Sequence, residues 1–257
     1  MIAAATTFGV VIGLMTALWI LSLLIADVSI VDIFWGVGFA VIAWTSHALM
    51  PSPTQRSLVI VSLATAWGLR LAMHLARRNL GHGEDYRYRV MRAAHGTRFP
   101  LVSFGTVFLL QGVLMWIVSL PLQAAQRAEA DAPLGWIDAA GILLWAIGIA
   151  FESVADAQLA RFKRTTTAAG RVMDRGLWRY SRHPNYFGDF LVWWGFGCIA
   201  LATGAWWSLI GPAVMSVLLL RVSGVALLER TITERRPAYR DYVARTSAFF
   251  PWPPRTP

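Results

Sequence analysis

Long apolar runs free of paired charge return along the whole chain, at about 3–26, 29–50, 57–76, 101–123, 135–157, 186–203 and 206–228. Each is close to the ~20 residues with which an α-helix crosses the hydrocarbon core of a bilayer. Inside lipid every backbone N–H and C=O must be bonded within the protein, so such runs read as helices. Only 14% of the 257 residues are charged, against about a quarter in an ordinary soluble domain. The expected fold is all-α: one polytopic transmembrane bundle over 1–257, of about seven spans. No internal repeat, low-complexity tract or separate soluble domain is visible.

Charge sorts the loops. Nineteen of the 23 Lys and Arg residues fall in three segments, 77–98, 158–185 and 230–257, and all three lie on one side of a seven-span arrangement. Arg56 and Arg127 are alone on the other side, and Arg70 and Arg221 lie inside spans. Positive residues stay with the cytosol, so the N-terminus is expected outside and the C-terminus inside. Residues 1–26 hold no Lys or Arg, so they lack the basic start of a secretory signal and read as the first span. A formal net charge of +9 confined to loops between spans does not read as a nucleic-acid surface. The single cysteine, Cys198, lies in an apolar run, so neither an intrachain disulfide nor a metal site is expected.

Chemistry concentrates at 158–189. Span five runs out through Arg161, Lys163 and Arg164, and Arg171 then leads into Arg-Gly-Leu-Trp-Arg-Tyr-Ser-Arg-His-Pro-Asn-Tyr-Phe-Gly-Asp, residues 175–189. Guanidinium and ammonium groups bind phosphates through charge-assisted hydrogen bonds. Pro184 suits the first position of a helix, whose opening N–H groups favour an anion. Asn185 carries an amide that both donates and accepts. Polar groups such as Asn185 and Asp189 at the mouth of an apolar helix are costly unless they serve a purpose.

The stretch Arg182-His183-Pro184-Asn185-Tyr186-Phe187-Gly188-Asp189 resembles the signature of the membrane-embedded steroid and sterol reductases, in which it lies against NADPH. The tail, with Arg-Arg-Pro-Ala-Tyr-Arg-Asp-Tyr (235–242) before Phe-Phe-Pro-Trp-Pro-Pro, is similar as well. The closest branch looks like the bacterial proteins grouped as domain of unknown function 1295. The resemblance covers about the last 110 residues. It implies cofactor contacts from Lys163, Arg164, Arg171, Trp178, Tyr180, Arg182, His183, Asn185, Tyr186, Asp189, Tyr239 and Tyr242. The cofactor half would then be 135–257 and the substrate-side helices 1–125. A bacterial inner-membrane protein is expected.

Isoprenylcysteine and phospholipid methyltransferases share the terminal architecture with S-adenosylmethionine as cofactor. The Asn-Tyr-x-Gly-Asp form and the single Glu229 after the last span favour the reductases. In steroid 5α-reductases an acid and a tyrosine polarise the enone carbonyl; the corresponding candidates here are Asp32 with Tyr86 or Tyr88. Asp32 is expected to be a buried acid kept neutral. Trp35, Trp67, Arg70 and Glu152 are candidates for the wall of an apolar substrate site. The expected activity is hydride transfer from NADPH to a conjugated C=C of a steroid-, isoprenoid- or lipid-like enone, with lipid-methyl transfer as the alternative.

Overall fold

Runs of Ala, Leu, Ile and Val without a helix breaker make long helices, and the computed structural model describes residues 2–127, 133–165, 171–222 and 238–255. Among these there is no strand. Helix α1 spans Ile2–Leu24, α2 Ile30–Ala48 and α3 Gln55–Asn79. Helix α4, Tyr86–His95, lies where the sequence reading leaves a loop. Asp85 begins it by accepting the Arg87 N–H at its side chain. The stretch that follows is broken into α5 (Phe99–Ser103), a wide π turn at Phe104–Leu109, α6 (Leu110–Val118) and α7 (Leu120–Ala124). Helix α8 is Trp136–Arg164, α9 Pro184–Leu201, α10 Ile210–Val217 and α11 Ala238–Arg245.

Among the described residues, five stretches are long and apolar enough to cross a membrane: α1, α2, α3, Tyr86–Val118 and α8. Of the two remaining spans expected, one is the 18-residue α9, and Trp206–Val222 is a shorter apolar helix. Residues 223–228 of that last span, like 166–170, Glu229, Arg230, Arg235 and Arg236, lie outside the described residues.

The chain divides into two units. The first is 1–134 with 200–208, and the second is 135–199 with 209–257. In the first, α2 and α3 touch backbone to backbone at Gly36 and Gly68, where a Cβ on either would overlap the other's carbonyl oxygen. Gly38 makes the same kind of room for the Met115 thioether. Trp67, Phe39 and Met115 are fully buried around these contacts. Thr54 starts α3 with a reciprocal cap, accepting the Ser57 N–H while the Ser57 hydroxyl accepts its own N–H.

In the second unit α8 and α9 run antiparallel and meet twice. A Cβ on Gly141 would stand 2.7 Å from the Gly195 carbonyl oxygen, and one on Gly148 would stand 2.6 Å from that of Gly188. In lipid, where apolar side chains gain little from leaving the solvent, such small-residue contacts are a main source of helix association.

Gly36→Val should therefore lower the thermal unfolding temperature in detergent by the equivalent of at least ~1–3 kcal/mol of overpacking. Gly9→Val, where an added Cβ meets nothing within 4 Å, should leave it nearly unchanged. Equal effects from the two variants would dismiss the close approach of α2 and α3.

Candidate functional site

One polar cluster of the first unit lies at the start of α2. Asp32, in the first turn of α2, accepts from the Tyr88 hydroxyl at one oxygen and from the Arg87 guanidinium at the other, both at 2.8 Å. Tyr88 is 6% exposed, whereas Tyr86, the other tyrosine candidate, is 62% exposed. Gln111 lies against the Tyr88 hydroxyl as well. The sequence reading expects Asp32 to be a neutral donor, whereas its guanidinium partner is one that a carboxylate usually takes. A carboxyl that accepts at both oxygens, one of them from a guanidinium, is a carboxylate.

The 80–85 loop holds α4 against this point. The Asp85 N–H donates to the Ser29 hydroxyl at 2.7 Å, and the Val28 N–H donates to Glu84 at 3.0 Å. Arg92 adds two hydrogen bonds to Glu84, at 2.7 and 3.0 Å. Burial pushes the Glu84 carboxyl up, but the bonds from Arg92 and Val28 outweigh it and hold Glu84 below the usual carboxylate range. Asp85 is likewise lowered: the Arg87 N–H and guanidinium outweigh its burial.

Trp35 meets Phe39 edge-on at 5.4 Å, and Trp67 packs on the other side of Phe39 at 5.7 Å. Arg70 is half-buried on α3.

In the second unit the 175–189 segment is a clasp for the tail. Residues Gly176–Arg179 form a tight helical turn that the Gln158 side chain secures through the Leu177 N–H. Trp178 donates its indole N–H to the Ala155 carbonyl, and its own carbonyl accepts the Tyr242 hydroxyl. The Ser181 hydroxyl donates to Phe249 O, and Trp252 N donates to Tyr180 O. Arg182 donates through one nitrogen to the carbonyls of Val243 and Thr246, at 3.0 and 2.7 Å, and so closes the C-terminal end of α11. Tyr239 and Tyr242 are buried with ring centroids 5.5 Å apart, and His183 stacks on Tyr186. Tyr180, not Trp178, is the ring of this segment left exposed.

The Gly148–Gly188 contact brings Glu152 and Asp156 of α8 beside the start of α9, where Asn185 donates to Asp156 at 3.2 Å. Glu152, Asp156 and Asp189 are all buried. Lys163, Arg164 and Arg171 are exposed. A cavity of about 390 Å³ is lined by Arg182, Arg245 and Arg255, with Thr246, Ser247 and Trp252. Arg245 also faces Asp174 at 3.9 Å. Of these guanidinium groups Arg182 is already bonded to two tail carbonyls, while Arg245 is the more open one.

Three of these groups were not singled out in the sequence. Arg87, Arg245 and Arg255 all sit in the basic segments and count there as topology charge. The signal that could have raised Arg87 is its place beside Tyr88 in Asp-Tyr-Arg-Tyr, directly after a capping aspartate.

The family described as "Protein of unknown function (DUF1295)" matches residues 18–246. An uncharacterized protein of Schizosaccharomyces pombe is 26% identical over 244 residues, which cover 85% of this chain and 67% of that protein. No solved structure matches.

Because Glu84 and Asp85 have lower pKa values folded than unfolded, their stabilisation is full above the ordinary carboxylate range, near ~4. It is lost as pH falls through their lowered folded values. The melting temperature in detergent should fall as pH drops from 5 towards 2, and Glu84→Gln should flatten that fall. An unchanged slope in the variant would refute the Arg92–Glu84 contribution.

Proposed function

We propose, on the premise that this chain belongs to the DUF1295 family, that it is an integral membrane reductase. It would use NADPH to reduce a conjugated C=C of an apolar enone, with its basic loops on the cytosolic side. The observation that carries this reading is the hydrogen bond from the buried Tyr88 hydroxyl to Asp32. A phenol held by a carboxylate is the acid–tyrosine pair with which a carbonyl oxygen can be polarised.

NADPH, when bound, supplies the hydride. Lys163, Arg164 and Arg171, with the arginine-lined cavity of the second unit, would hold its phosphates. Asn185 would meet the carboxamide. Tyr88 would turn its one hydroxyl proton from Asp32 to the substrate oxygen as negative charge develops there. Asp32 orients that hydroxyl, and Arg87 keeps Asp32 ionised. Trp35 and Trp67 supply aromatic bulk to the helices that exclude water. The substrate class is an apolar molecule entering from lipid.

A second reading has its own support. The buried carboxylates Glu152, Asp156 and Asp189 suit a cation, and S-adenosylmethionine carries a sulfonium. The three-arginine cavity argues the other way, because a guanidinium cluster favours a polyanion.

Titrating the purified chain with NADPH and with S-adenosylmethionine, and following thermal stability, separates the two. NADPH is expected to raise the melting temperature, and Asn185→Ala to remove most of that shift. Tyr88→Phe should keep the shift and lower NADPH oxidation, with a 3-oxo-4-ene steroid as probe, by about 10²-fold or more. A shift from S-adenosylmethionine alone would replace the reductase reading with the methyltransferase one.

A further inference from the structure

The first unit holds a second polar site at the other end of α2. Ser46, in the last turns of that helix, stands about 20 Å along the axis from Asp32 at the helical rise of 1.5 Å per residue. A cavity of about 320 Å³ opens there, lined among others by Ala3, Ser46, Met50, Gln123, Gln126 and Arg127. The two glutamines differ. Gln123 is satisfied within the protein: its Oε1 accepts from the Thr7 hydroxyl and its Nε2 donates to the Ser119 hydroxyl.

Gln126 is not. It is 3% exposed, and its Nε2 donates to the carbonyls of Ala43 and Leu122 at 3.0 and 3.1 Å. Its Oε1 is buried and has no hydrogen-bond partner among the described residues. A buried acceptor left without a donor is costly and rare enough to require an explanation. A donor group entering the cavity would remove that cost.

Beside it Arg127 is exposed, with its guanidinium 5.9 Å from the ring of Trp207. Tryptophan and arginine together are typical of the level where bilayer meets water. Arg127 is also one of only two cations on this side of the sorted sequence, and the other, Arg56, is buried and donates to the Pro133 carbonyl. The site therefore pairs one cation with one acceptor lacking a donor, beside apolar lining from Leu49, Met50 and Pro51.

We propose that this cavity binds the headgroup of a phospholipid that bears an N–H donor beyond its phosphate. The phosphate meets the Arg127 guanidinium, the ammonium donates to Gln126 Oε1, and the acyl chains continue along the apolar helices. The site is independent of the cofactor and of the reductase reading.

The test is lipid retention by the full chain in detergent, read by native mass spectrometry. The probes are phosphatidylethanolamine, phosphatidylcholine and soluble glycerophosphoethanolamine. Phosphatidylethanolamine is expected to bind about tenfold more tightly than phosphatidylcholine, whose trimethylated nitrogen has no N–H to donate. Arg127→Gln, a surface change, should weaken phosphatidylethanolamine by a similar factor. Gln126→Met should abolish the preference between the two lipids while leaving the phosphate contact. Equal retention of the two lipids by the unmodified chain, or no effect of Arg127→Gln, would overturn the proposal. Displacement of the lipid by an equal concentration of the soluble headgroup would overturn its assignment to a lipid.

Discussion

Where α8 and α9 cross, the absence of side chains on Gly148 and Gly188 lets the two backbones touch, and Glu152, Asp156 and Asn185 take their places from that contact. With Gly148 against Gly188, the next turn of α8 sets Glu152 against Gly188, and the turn after it brings Asp156 to Asn185. Gly141 and Gly195 repeat the contact two turns away and so fix the register in both directions. A larger residue at any of these positions would separate the helices. The amide of Asn185 would lose Asp156, and the turn that begins at Pro184 would no longer lie against the clasp of the tail. The Gly36–Gly68 contact plays the equivalent part for α2 and α3.

The long helices were plain in the sequence because apolar length alone specifies them. The expected spans 3–26, 29–50 and 57–76 lie within a few residues of α1, α2 and α3. Helix α4 escaped because Tyr-Arg-Tyr-Arg-Val-Met-Arg-Ala-Ala-His is too charged to read as a span, although Asp85 before it is a recognisable cap. Asp32 and Tyr88 were both named as candidates from their chemistry. Their meeting was not legible, since 56 residues separate them and no periodicity says that α4 returns to the mouth of α2. Arg182 was legible as a cation but not as the group that closes α11. The glycines of α8 and α9 stand seven apart in both helices, a spacing that places them on one face; that signal was present and went unused.

Sorting of charge by depth constrains any ligand of the second unit. The carboxyls of Glu152, Asp156 and Asp189 are buried, whereas Lys163, Arg164 and Arg171 are exposed and Arg182, Arg245 and Arg255 line a cavity at the tail. A polyanion is drawn to the second set. On the proposed reading the phosphates of a dinucleotide stay with the arginines, and only its neutral carboxamide end can approach Asn185. The same gradient would draw a sulfonium inward, which is why the two cofactors are distinguished by where their charge lies and not by the shared Arg-His-Pro motif.

A similar economy governs the pair in the first unit. Asp32 accepts from Tyr88 and Arg87 at once, so it has no proton to give and its negative charge is already balanced. That balance lets a carboxylate remain at the start of an apolar helix, where a lone ion would be strongly disfavoured. It also decides the roles. A carboxylate that takes the Tyr88 hydrogen bond raises electron density on the phenol oxygen, while Arg87 limits how far the proton can move towards Asp32. Tyr88 is therefore the one member of the trio with a transferable proton that does not break the ion pair. On the proposed reading a carbonyl would compete with Asp32 for the Tyr88 proton, and Arg87 would keep Asp32 charge-balanced when that hydrogen bond is given up.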